Sequence, residues 1–121
     1  YAHTASASAT TALSYVGLTK TIDGKASETV KPNQVVKFCV TATNYSPFQV
    51  NGVTIVEPSL EPSLNWHISP PTGDNYSVTV TAPDGNFTET LPPPLKVNIG
   101  SLGAAGSGKN SGSMCFNAKL Y

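Results

Sequence analysis

Arginine is absent from this chain, and charge of either sign is scarce: 12% of 121 residues, with seven Lys balanced by seven Asp and Glu. A formal charge of zero leaves no basic surface for nucleic acid or an anionic membrane, so neither partner is expected. Long apolar runs are missing too. The longest stretches are a few residues against the ~18 that a span requires, which argues against membrane insertion of the mature chain. The two histidines, His3 and His67, are too few and too far apart to gather metal ligands and read as polar strand positions. The acids Asp23, Glu28, Glu57, Glu61, Asp74, Asp84 and Glu89 are dispersed, mostly near turns, and no pair suggests general acid and base chemistry. No G-x-S-x-G elbow singles out a nucleophile among the many Ser and Thr. The expectation is a protein that is not an enzyme and uses no cofactor; a calcium site at loops around Asp74 and Asp84 stays open.

What the chain does have is Ser, Thr, Asn, Gly and Pro, so its surface must be polar mainly through hydroxyls and amides. A near-neutral surface repels copies of itself weakly, which suits a protein meant to associate. Its length fits one domain with a single core. The start at Tyr1 without an initiator Met and the pair Cys39 and Cys115 together read as a mature exported product whose signal peptide is removed. An extracellular, cell-surface location would let the two thiols oxidise.

From Leu18 onward, short period-2 segments punctuated by turns predict an all-β sandwich. In QVVKFCVTATN, Val36, Phe38, Val40 and Ala42 share one face while Lys37, Cys39, Thr41 and Thr43 share the other. Further strands are expected at GVTIVE (Val53 and Ile55 inward), LNWHIS, NYSVTVTA, PLKVNIG and SMCFNAKLY. Turns are expected at Asp23-Gly24, Asn51-Gly52, Pro70-Pro71-Thr72-Gly73 and Asp84-Gly85. Trp66, alternating with Leu64 and Ile68, reads as core rather than as a carbohydrate platform. The run from Gly103 to Asn110 fits G-x-x-x-x-G-K, yet it has Asn where a magnesium-binding hydroxyl is needed and leads into a strand. A hairpin turn is the better reading.

Strand parity sets Cys39 opposite the core face of its strand and Cys115 opposite Met114, Phe116 and Ala118. A disulfide is therefore expected across neighbouring strands, on the outside of one sheet. Three sequons, at Asn44, Asn75 and Asn86, fall at expected strand ends or turns and are candidates for N-linked glycans, Asn44 less so because Pro47 follows it.

Motif order from Leu18 to the C-terminus resembles the Ig-like conserved-repeat domain of bacterial and archaeal surface proteins. The resemblance rests on the opening strand Leu18-Thr-Lys-Thr-Ile-Asp and the lead-in Val30-Lys-Pro-Asn-Gln-Val-Val, where Asn33 replaces the usual Gly. It also rests on Val40-Thr-Ala-Thr-Asn44, Val53-Thr-Ile-Val-Glu-Pro and the turn Asn98-Ile-Gly-Ser-Leu-Gly-Ala-Ala-Gly-Ser107. It implies an Ig-like β-sandwich over residues 18–121 with a mechanical or adhesive surface role and no catalytic residues. Residues 1–17 have no counterpart in that repeat and form a charge-free arm. Within it Ala5, Ala7, Ala9, Thr11, Leu13 and Tyr15 share one face by period-2 spacing, so the arm is expected to act as a donor strand in a neighbouring copy. The layout resembles the donor-strand threads and bundling pili of archaea, in which the partner is another copy of the same chain. The alternative is a monomeric stalk, adhesive or carbohydrate-binding module, with a host or cell surface as its target.

Overall fold

The computed structural model describes residues 2–3, 8–10, 15–57 and 68–120. Among them eleven strands follow in order: β1 (Ala2–His3), β2 (Ser8–Thr10), β3 (Val16–Ile22), β4 (Glu28–Thr29), β5 (Val35–Asn44), β6 (Val50–Glu57), β7 (Ile68–Ser69), β8 (Tyr76–Ala82), β9 (Gly85–Leu91), β10 (Leu95–Leu102) and β11 (Ser111–Leu120). No described residue is helical. One sheet runs β3-β5-β11-β8-β9, with β7 pairing the end of β11, and a smaller sheet runs β10-β6-β2. All the pairings are antiparallel, and β1 with β4 makes a separate two-stranded ribbon. This is an all-β, Ig-like sandwich, as the period-2 pattern predicts.

Alternation explains why the sheets pack. In β5, Val36, Phe38, Val40 and Ala42 are buried, and they meet Met114, Phe116 and Ala118 of β11 and Val78 and Val80 of β8 on the inner face of the large sheet. Val53 and Ile55 of β6 and Leu95, Val97 and Ile99 of β10 close over them from the small sheet. At the centre, Phe38 stacks on Phe116 at 5.5 Å and Tyr76 meets Phe116 edge-on at 5.8 Å. Truncating any of these buried aromatics to Ala would cost roughly 3–5 kcal/mol. Outward positions carry hydroxyls: Ser77, Thr79 and Thr81 of β8 and Thr88 and Thr90 of β9 are all exposed.

Turn chemistry works as expected at Asp23-Gly24. There φ values of 50° and 79° and reciprocal bonds between Ile22 and Lys25 make a two-residue hairpin. A second hairpin joins β8 to β9 through Pro83-Asp84, with Ala82 opposite Gly85. Asn51-Gly52 is different. Instead of a turn it lies inside β6, where Gly52 takes φ 63° and the register against β10 slips between Gly100 opposite Val53 and Leu102 opposite Val50. The left-handed residue is spent on a bulge, which bends the strand without ending it. β9 has no apolar alternation and is mostly exposed, as an edge strand whose ladder bonds rather than side chains hold it to β8. Its sequence therefore carries no strand signal. Of LNWHIS, Ile68 and Ser69 form β7; Leu64, Trp66 and His67 lie outside the described residues.

Candidate functional site

Among the described residues the small sheet has three strands, and β6 would present one free edge if β10 were its sole neighbour. β2 from the N-terminal arm covers that edge, with Ser8 opposite Val56, Ala9 opposite Ile55 and Thr10 opposite Thr54. Ile55, the partner of Ala9, is fully buried, while Thr54 and Val56 are half-buried. In the single chain the pairing is made with the chain's own β6. Ala5, Ala7, Thr11 and Leu13 lie outside the described residues. Tyr15 does not share the strand. Its carbonyl accepts from Tyr45 N–H, its side chain is 64% exposed, and the ladder of β3 with β5 begins immediately after it, at Val16 opposite Asn44. β3 thus begins two residues before Leu18, where the motif match starts.

Cys39 and Cys115 stand directly opposite on β5 and β11, with Cα atoms 4.1 Å apart, and form a disulfide. Both are half-buried on the face opposite the core, as strand parity requires. The bond fits an oxidising, extracytoplasmic compartment, and among the described residues no helix is long and apolar enough to cross a membrane.

Of the three sequons, Asn75 and Asn86 are exposed, Asn75 after the Pro-Pro-Thr-Gly bend and Asn86 at the start of β9. Asn44 overturns the expectation of an acceptor. It is fully buried, and its amide nitrogen donates to the carbonyls of Phe48 and Gly103, each at 2.9 Å. Its Oδ1 accepts from Ser46 N–H at 2.9 Å and Ser46 Oγ at 2.6 Å. The N-x-S spacing here is an Asx-type turn that ties the end of β5 to the β10–β11 loop, and a glycan has no room there.

An ion pair between strands distant in sequence adds a feature that no motif marks. Lys20 of β3 lies on the same face as Ile22, pointing between the sheets, and its ammonium donates to Oε2 of Glu57 at the end of β6. Side-chain exposure is 10% for Lys20 and 0% for Glu57, and the Lys20 nitrogen sits 5.3 Å from the Phe38 ring centroid. Burial pushes the Lys20 amine down and the Glu57 carboxyl up, each only partly countered by the other. Alternation held the signal, since Lys20 follows Leu18 by two and Glu57 follows Ile55 by two.

The Gly103–Asn110 segment is the turn between β10 and β11, closed by Gly103 N–H to Lys109 O, and opens no helix. Among the described residues no three His, Cys, Asp or Glu could hold a metal ion; Asp74 and Asp84 are both exposed. No family model matches the chain, and neither a curated protein nor a solved structure does.

Proposed function

We propose that this protein is the structural subunit of an extracellular filament, built by donor-strand exchange of its N-terminal arm between copies. The observation that carries the reading is the β2–β6 rung itself. A small-residue segment from the arm completes an edge of the smaller sheet, while the arm continues directly into β3 of the other sheet. An arm rooted in one sheet and docked on the edge of the other can be passed to the next copy without altering the sandwich. Repeated head to tail, that operation gives a fibre. The motif order shared with Ig-like surface repeats, the exposed hydroxyl-rich faces and the absence of net charge support a secreted, self-associating surface component. The exposed Asn75 and Asn86 fit a glycoprotein, and the thread and bundling-pilus layout points to archaea.

The second reading has an observation of its own: the arm closes β6 of its own chain. That state is complete as a monomer and would suit a stalk or adhesive module of a larger surface protein. Negative-stain microscopy and sedimentation of the full chain, of a chain lacking residues 1–15 and of Ala9→Asp separate the two. Filaments are expected from the first, soluble monomers from the truncation, and weakened assembly from Ala9→Asp, which sets a charge opposite buried Ile55. Polymerisation of the truncated chain, or a full chain monomeric at every concentration, would refute the filament.

A further inference from the structure

We propose that Lys20 and Glu57 are joined in the mature protein by an isopeptide bond, an amide between Nζ of Lys20 and Cδ of Glu57 that crosses from one sheet to the other. Their contact is direct, Nζ donating to Oε2, and the carboxylate is wholly shielded from solvent. The Phe38 ring flanks the amine. Among the described residues Glu57 Oε1 has no hydrogen-bond partner, which is a poor arrangement for a permanent ion pair, since buried carboxylates need every oxygen satisfied. An amide leaves one neutral carbonyl in that place instead of half a charge.

The chemistry needs no other reactant. Burial disfavours both ions, lowering the Lys20 amine and raising the Glu57 acid, so a proton passes from Nζ to the carboxylate and leaves a nucleophilic amine against a neutral acid. The Nζ lone pair attacks Cδ and the C–N bond forms. The C–O bond then breaks, and the leaving oxygen departs as water with the acid proton and one amine proton. The second amine proton stays on the amide nitrogen. Oxidation states do not change. Held in contact, the two groups react as if at an effective concentration on the order of 10⁵ M or more. The water released leaves a site that bulk solvent does not re-enter to reverse the step.

The bond stands or falls apart from the filament reading, but its use rests on it. Tension arriving through the arm enters the subunit at β3, and tension from the neighbour's arm is applied at β6. Lys20–Glu57 links those two strands directly, so the rest of the sandwich is spared the force.

The test is a tryptic map of the folded protein after denaturation, reduction, alkylation and glycan removal. Expected is a branched peptide joining Lys20 to Glu57, lighter than its two parts by one water, with no cleavage after Lys20. Lys20→Arg, which cannot form the amide, should lose the branch and restore linear peptides. Because the wild-type map decides alone, poor folding of that variant leaves the test intact. Linear peptides ending at Lys20 as the main product overturn the proposal, whether or not the protein polymerises. So does a fall in stability, as pH rises above the ordinary carboxylate range, that Glu57→Gln removes and that the raised Glu28 carboxyl therefore does not explain. An unlinked Glu57 with raised pKa holds its proton in the folded state over that window, whereas the amide has no proton to lose.

Discussion

Replacing Asn44 with Ala should be among the most damaging single changes outside the apolar core, although the residue looks like a surface sequon. Its side chain makes four hydrogen bonds of 2.9 Å or less, two donated to the carbonyls of Phe48 and Gly103 and two accepted from Ser46. A fifth contact, to Leu102 O at 3.4 Å, is too long to add much. At about 1 kcal/mol net per bond the loss is roughly 4 kcal/mol, and backbone groups left dry at 0% exposure push it upward. For a domain of this size that corresponds to a fall in Tm on the order of 15 °C. Chemical denaturation monitored by circular dichroism, with the m-value held as a check on two-state behaviour, measures it. Asn44→Asp should be worse, because its second oxygen would face two carbonyls. Ser46→Ala, which also abolishes the sequon, should cost only about 1–2 kcal/mol because it keeps the Asn44 donors. Equal, small effects below about 1 kcal/mol for Asn44→Ala and Ser46→Ala would refute the network. Asn44 would then be a surface residue.

Removing the disulfide with a Cys39→Ala, Cys115→Ala double variant should lower stability by about 4–5 kcal/mol, from a closed loop with sequence separation 76 in the chain-entropy account. A loss under about 1 kcal/mol in urea unfolding would show that the oxidised bond constrains little. Glycopeptide mapping of natively secreted material should find sugar on Asn75 and Asn86 and none on Asn44. Occupancy at Asn44 in folded protein would contradict its burial.

Alternating apolar residues made β5, β6, β8, β10 and β11 legible, because each buries one face and period-2 spacing is the direct trace of that burial. β9 was illegible for the converse reason, being an edge strand that is mostly exposed and of which only Leu91 packs against the core. Asn51-Gly52 misleads because a left-handed Gly serves a bulge as well as a turn, and only the partner strand's register tells them apart. The Asn44 sequon misleads similarly. A short amide followed two residues later by a hydroxyl is both a glycan acceptor and a self-closing turn, and burial decides between them. The inward pair of Lys20 and Glu57 was open to parity, but a single charge on an apolar face shows nothing until its partner on a distant strand is known. Thirty-seven positions separate these two.

The arm's choice between its own β6 and a neighbour's is a competition between tethering and length. Among the described residues β2 pairs with three of the eight residues of β6. The closed state's advantage is proximity, since a short tether gives an effective concentration of millimolar order, about a thousandfold above a micromolar solution. A thousandfold is about 4 kcal/mol, the net worth of roughly four hydrogen bonds at about 1 kcal/mol each. A neighbour's arm wins under those conditions if it pairs along most of β6, from Glu57 back to the Asn51-Gly52 bulge. Carried on from the register of Ser8 opposite Val56, a neighbour's arm would set Ala7 against Glu57, Thr11 against Val53 and Ala12 against Gly52, so residues 7–12 have the length to do so. Once exchanged it gains a second benefit. The accepting strand is tied through Glu57 and Lys20 to β3, the strand that follows the arm, so a load passed from arm to arm would cross each subunit through that one link.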